Sequence, residues 1–173
     1  AAWSTDGGAS ISGSARIDSY LAGGERKAAM AANANSEPAL AIDATAYRLV
    51  HGEADLLPSL IVDRYGEYLV VQTLSQGMNR LLPVVAGVLT DLLHPRGILA
   101  RNDPRARLLE GLEQRIDVIS GEVPELVGVT ETGIAYEVDL RRGQKTGLFL
   151  DQRENRAAAM QYARGRLLDC FCY

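Results

Sequence analysis

The chain has 173 residues, 47% hydrophobic and 23% charged, with 17 glycines, 6 prolines and a formal net charge of −4. This composition excludes a wholly disordered chain, and the acidic balance excludes a protein that coats nucleic acid over its whole surface, while leaving room for a local basic patch. No apolar run reaches the roughly 20 residues of a membrane helix, and "AAWSTDGGASISGSAR" has no basic region followed by an apolar stretch, so a cytoplasmic location and no membrane partner are expected.

Residues 1–44 are rich in Ala, Gly, Ser and Asn, with Ile17, Leu21 and Met30 as thin apolar anchors and a breaker at Gly23-Gly24. They read as a helical arm or linker. From Tyr47 the pattern tightens. "YRLVHGE" predicts a strand, and "SLIVDRYGEYLVVQTL" predicts a hairpin turning around Tyr65-Gly66. In "GMNRLLPVVAGVLTDLLHPRG", Met78, Leu81, Leu82, Val85, Leu89 and Leu92 fall at helical spacing. Pro83 is expected in the first turn of that helix, with His94 capping its end and Pro95 and Gly97 beyond it. "GILARND" predicts a strand and "PRARLLEGL" one or two helical turns. Three further strands follow, in "QRIDVISGE", "LVGVTETG" and "IAYEVDLRRG", the last two turning at Thr132-Gly133. The fold class is α+β, an antiparallel-rich central domain over residues 45–140.

Residues 141–173 change character. "LFL" reads as a strand, Asp151 as an N-cap with Glu154 three residues on, Gln152 to Arg164 as a helix ended by Gly165, and "RLLDCFCY" as a buried strand. Strand, helix, strand is the entry to a Rossmann-like sheet, whose ligands bind beyond the carboxyl end of its first strand. The chain is therefore expected to be a fragment. Cys170 and Cys172 are expected to be reduced in that strand.

Within "GQKTGLFLDQRENR", Lys145, Gln152 and Arg153 supply polar groups and Phe149 an apolar face, which suits a small-ligand pocket; a hairpin with a well-capped helix explains the same residues. From Arg141 to Arg166 there are seven basic residues against two acidic ones, which suits phosphate contact or a solvated helix face. His51, Glu53 and Asp55 in "HGEADLLP" read as a polar turn rather than metal ligands, and Arg101-Asn102-Asp103 as a turn or helix start. No nucleophile–base pairing is visible, and no metal site is expected.

"YRLVHGEADLLPSLIVDRYGEYLVVQ", "RND", "EGL", "GQKTGLFLDQRENR" and "LLDCFCY", in that order, resemble the S-adenosylmethionine-dependent methyltransferases of the large-subunit ribosomal RNA cytosine-C5 type. The resemblance covers about Tyr47 to Tyr173. It implies an N-terminal RNA-binding domain, which residues 1–44 do not show, a central domain, and a methyltransferase domain of which residues 141–173 are the truncated start. It further implies that Lys145, Thr146, Gly147, Phe149, Asp151, Gln152 and Arg153 line the cofactor pocket, with Asp169, Phe171 and Tyr173 under the methionine end. Arg141, Arg142 and Arg156 are the candidates for ribosomal RNA contact. The family's catalytic cysteine lies beyond Tyr173, so neither Cys170 nor Cys172 is assigned as nucleophile, and the chain alone is expected to be inactive. The alternatives are a non-catalytic RNA-binding module and a scaffold whose last strand pairs with a second copy as a homodimer.

Overall fold

The structure, a computed structural model, describes residues 43–168 and Cys170. Short runs rich in apolar and β-branched side chains, continuous in the buried β3 and β4 and alternating in β6, build seven strands there: β1 (Ala46–His51), β2 (Leu60–Tyr65), β3 (Tyr68–Thr73), β4 (Gly97–Asn102), β5 (Arg115–Gly121), β6 (Leu126–Glu131) and β7 (Ile134–Asp139). Helix α1 (Gln76–Leu93) joins β3 to β4, α2 (Ala106–Leu109) joins β4 to β5, and α3 (Arg153–Tyr162) follows β7, with short 3-10 turns at Gly52–Asp55 and Leu150–Gln152.

The first five strands form one sheet in the order β1-β2-β3-β4-β5, and β6 and β7 form a separate two-stranded ribbon. Only β3 and β4 pair in parallel, because α1 carries the chain back across the sheet between them; the other pairs are antiparallel. The antiparallel-rich mixed fold expected from the sequence is therefore present.

Strand β5 is largely exposed, whereas β1 to β4 are packed on both faces. On one, Val62, Leu69, Val71 and Ile98 meet Met78, Leu82, Val85 and Leu89 of α1. On the other, Tyr65, Val70 and Leu99 meet Val127, Val129, Val138 and Leu140 from the ribbon and the segment after it. The helix is thus positioned by its apolar stripe, and the ribbon buries one side against the opposite layer.

Four expectations fail. Pro83 lies inside α1, not in its first turn. Its ring angle suits a helix, and the buried positions on both sides, Met78, Leu82, Val85 and Leu89, hold the helix across the missing backbone donor. Asp151 does not cap a helix. Its carboxylate is drawn to Lys145, and α3 starts at Arg153 after the 3-10 turn, with no side-chain cap. The helix ends at Tyr162, so Gly165 lies beyond the C-cap Ala163. Finally, "LFL" is not a strand, and the described part of "RLLDCFCY" is neither strand nor buried: Leu167 and Leu168 are 77% and 84% exposed, and Cys170 is exposed. A strand needs neighbours to bond its backbone, and no described strand lies beside it. Cys172 lies outside the described residues.

Candidate functional site

The loop after β7 starts from an aspartate. Asp139 Oδ1 accepts the backbone N–H groups of Arg141 at 2.8 Å and Arg142 at 2.9 Å. These donors, that of Arg142 foremost, hold its carboxyl below the usual carboxylate range. The chain then folds onto itself. The Gly147 N–H donates to the Gln144 carbonyl at 2.8 Å, with Lys145 between them in the left-handed region at φ 54°. A Cβ on Gly143 would lie 2.3 Å from the Gly147 carbonyl oxygen, and one on Gly147 would lie 2.9 Å from side-chain atoms of Leu140 and Val138. Both glycines are therefore steric requirements of the loop.

Thr146, at the tip, is buried. Its hydroxyl lies 2.6 Å from Asp63 Oδ2 and 2.9 Å from the Tyr65 hydroxyl. The ionised carboxylate can only accept, so Thr146 donates to Asp63. Its oxygen must then accept from Tyr65, whose own oxygen accepts the Leu148 N–H at 3.2 Å. Burial pushes the Tyr65 phenol up, which keeps it a donor. At the other end, Arg48 grips the fully buried Asp63 with Nε–Oδ1 at 2.7 Å and Nη2–Oδ2 at 3.0 Å. That contact with Asp63 raises the guanidinium pKa. Every member of this chain has a partner, the condition under which a buried polar network rigidifies rather than destabilises. It fastens the 143–148 loop to β1 and β2.

The rest of the loop pairs internally. Lys145 Nζ lies 3.0 Å from both oxygens of Asp151 and 4.5 Å from the Phe149 ring centroid. The ammonium holds the Asp151 carboxyl below its usual range. Arg156 reaches back to the ribbon: Nε and Nη2 bond the buried Glu131 at 2.7 Å each, and Nη1 and Nη2 bond the Phe149 carbonyl at 3.1 Å. This pair raises the Arg156 pKa. Arg141 donates to the carbonyls of Pro124 and Val123 at 2.9 Å each. Arg142 is exposed, 3.8 Å from Glu125. Of the three arginines singled out for RNA, two therefore spend their guanidinium donors inside the fold, and Arg142 alone presents an exposed one.

A cleft of about 280 Å³ opens where the loop meets β1, lined by Tyr47, Arg48, His51, Lys145, Leu148, Leu150, Asp151 and Arg153. The structure thus brings Lys145, Asp151 and Arg153 together, buries Thr146 with Gly147 half-buried beside it, and leaves Gln152 exposed with its side-chain oxygen bonded to Asn155. Asp169, Phe171 and Tyr173 lie outside the described residues. Among the described residues, no three His, Cys, Asp or Glu side chains cluster as metal ligands, and no helix is long and apolar enough to cross a membrane. "HGEAD" is a polar turn: Asp55 accepts the His51 N–H and Glu53 the Ser59 N–H. "RND" is structural as well: Asn102 Oδ1 accepts the Thr73 N–H at 2.8 Å, and Arg101 Nη1 donates to the Leu140 carbonyl.

Sequence reasoning missed Tyr47, Arg48, Asp63 and Tyr65, and read His51 as part of a polar turn rather than as a cleft residue. One signal was present: Asp63 interrupts the apolar run "LIVDRY", and a charge within a buried strand must have a partner.

No family model matches the chain. Among curated proteins, the chain is 45% identical over 132 residues to ribosomal RNA large subunit methyltransferase I of Tolumonas auensis, 41% over 130 residues to that of Pseudoalteromonas atlantica, and 46% over 132 residues to that of Aeromonas hydrophila. Each match covers 75% of this chain and 33% of the relative, so the chain spans about a third of the length of the curated relatives it matches. Among solved structures, one described as a SAM-dependent methyltransferase from Streptococcus mutans superposes with a TM-score of 0.67 at 21% identity, over 86% of this chain and 36% of that one. A second, described as a methyltransferase in complex with SAH, gives 0.65 at 22% identity, over 83% and 34%. At these identities the structural likeness is one of fold.

Proposed function

We propose that the chain is part of an S-adenosylmethionine-dependent methyltransferase of large-subunit ribosomal RNA, with C5 of cytosine as the acceptor. The observation that carries the reading is the 41–46% identity, over three quarters of the chain, to relatives named ribosomal RNA large subunit methyltransferase I; the C5 acceptor rests on the family resemblance of the sequence motifs. Residues 45–140 form its central domain, and residues 141–173 begin its catalytic domain.

The donor set fits an edge of a cofactor site. Leu148 and Leu150 provide an apolar floor beside Lys145 and Arg153, and Phe149 and Gln152 are the residues proposed to meet the cofactor, with Asp169, Phe171 and Tyr173 completing that edge. When bound, S-adenosylmethionine supplies the methyl group for transfer. This chain's own residues shape the edge. Thr146 and Gly147 act as positioning residues, holding the loop on Asp63 and Tyr65, and the Lys145–Asp151 pair sets the approach to the helix. Among the described residues there is no nucleophile–base pair, and the chain by itself is proposed not to turn over.

A segment exchange tests the reading. The matching 132-residue stretch of the Tolumonas auensis relative is replaced by that of this chain, and nucleosides of its large-subunit RNA are analysed by mass spectrometry. Formation of 5-methylcytidine by the chimera is expected. A soluble, cooperatively melting chimera that methylates nothing would overturn the reading, and methylation at another atom would overturn the C5 assignment alone.

A further inference from the structure

The loop at the cofactor edge is held at its tip by Thr146. Its root, Asp139 to Arg142, is held separately, from β4. Alternation along that strand puts Arg101 on the same face as the core residue Leu99, toward the ribbon. Arg101 is buried, and its Nη1 donates to the Leu140 carbonyl at 3.2 Å. After the N–H groups of Arg142 and Arg141, its charge also helps to hold the Asp139 carboxyl low. Root and tip touch. Leu140 is fully buried, and a Cβ on Gly147 would lie 2.9 Å from its side chain. The Gly143 N–H donates to the Asp139 carbonyl at 2.9 Å. A displaced Leu140 would therefore carry Gly143 and Gly147 with it, and Lys145 between them. As a source of stability, Arg101 is a poor choice. Its counter-ion Asp103 takes both Nε and Nη2 on one oxygen, at 3.3 and 3.4 Å, longer than the roughly 2.7–2.9 Å of a strong charge-assisted bond. Apolar residues of similar volume in place of a buried ion pair are often neutral or stabilising. What the guanidinium adds is a rigid, directional donor aimed at one carbonyl.

We propose that Arg101 is a positioning residue for the cofactor loop: through the Leu140 carbonyl it fixes where Gly143, Lys145 and Gly147 stand at the cofactor edge, and Asp103 orients its guanidinium. The inference rests on the methyltransferase reading above and deepens it. It gives the first residue of "RND" a role at a site whose root lies 39 residues further along the chain. Arg107 supplies the contrast. It is equally buried at the same end of the sheet, but its hydrogen bonds go to Thr73, Asn79 and Glu113, none of them in the loop.

The test has two arms. In the chimera described above, initial rates of RNA methylation are measured against S-adenosylmethionine concentration, with circular dichroism melts of every variant. Replacing the pair together, Arg101→Met with Asp103→Leu, is expected to raise KM for S-adenosylmethionine about tenfold, with kcat and the KM for RNA unchanged and a melting midpoint no lower than that of the unmodified chimera. Arg101→Lys keeps a donor for the Leu140 carbonyl and is expected to recover part of the loss. Arg107→Met is expected to lower the melting midpoint and leave KM where it was. An unchanged KM in the folded double variant would overturn the inference, as would an equal rise in Arg107→Met, which would make the effect a general consequence of destabilisation. The second arm needs no activity. In the full 173-residue chain, hydrogen exchange at the Gly143 and Gly147 amides is expected to accelerate in the double variant and in Arg101→Lys, more in the former, while β1 to β3 exchange as before. Unchanged exchange at both glycines overturns the inference even with an active chimera, whereas faster exchange there with an inactive chimera leaves the tether standing and removes only the methyltransferase reading.

Discussion

Thr146 shows how one hydroxyl holds a loop. It donates to Asp63 and accepts from Tyr65 at 2.6 and 2.9 Å, so Thr146→Val keeps the shape and removes both bonds. The buried carboxylate and phenol then lose a partner each, and a loss of about 1–3 kcal/mol is expected in urea denaturation; Thr146→Ser retains the hydroxyl and should restore most of it. Asp139 has a pH signature. Its folded pKa is depressed by the Arg142 and Arg141 N–H groups, so its contribution is complete above the unfolded value of about 4 and is lost as pH falls through the lower folded value. Asp139→Asn should therefore cost about 1 kcal/mol at neutral pH. The gap between the variant and the unmodified chain should close in melts taken at progressively lower pH below 4. A gap that persisted there would assign the loss to packing instead.

Among the elements, α3 depends on one ion pair. Its Arg156 satisfies Glu131, which is 1% exposed, and the helix itself contributes no buried residue. Arg156→Ala strands a buried carboxylate, at a cost of about 3–5 kcal/mol. Hydrogen exchange across Arg153–Tyr162 should accelerate first, because short isolated helices are marginal in water. Uniform acceleration over the whole chain would instead make the pair a determinant of global stability. The behaviour of α1 is the opposite. Its buried stripe tolerates an interior proline, so Pro83→Ala, which supplies a backbone donor at an exposed site, should raise the denaturation midpoint by the equivalent of about 1–3 kcal/mol.

Across the whole molecule, order is graded. The central strands of the sheet are covered on both faces, while Ala163–Leu168 is exposed and outside any helix or strand. Limited trypsin digestion followed by intact-mass measurement should, among the described residues, cut first after Arg164 and Arg166 and spare Arg48, Arg101 and Arg107, which are partly or fully buried. Early cleavage at Arg101 would contradict the described packing of β4.

By itself the sequence determined the strands and α1, because period-two and helical spacing are written in neighbouring residues and turns such as Thr132-Gly133 carry their own chemistry. It also revealed the polar segment from Gly143 to Arg156. Tertiary structure alone decided what that segment does. Asp63 and Thr146 are 83 residues apart in the chain, and Arg156 and Glu131 are 25 apart; such pairings depend on which faces meet, and no local pattern encodes them. For the same reason Asp151 looked like a cap until Lys145 took its carboxylate, and "RLLDCFCY" looked like a strand although no described strand lies beside it.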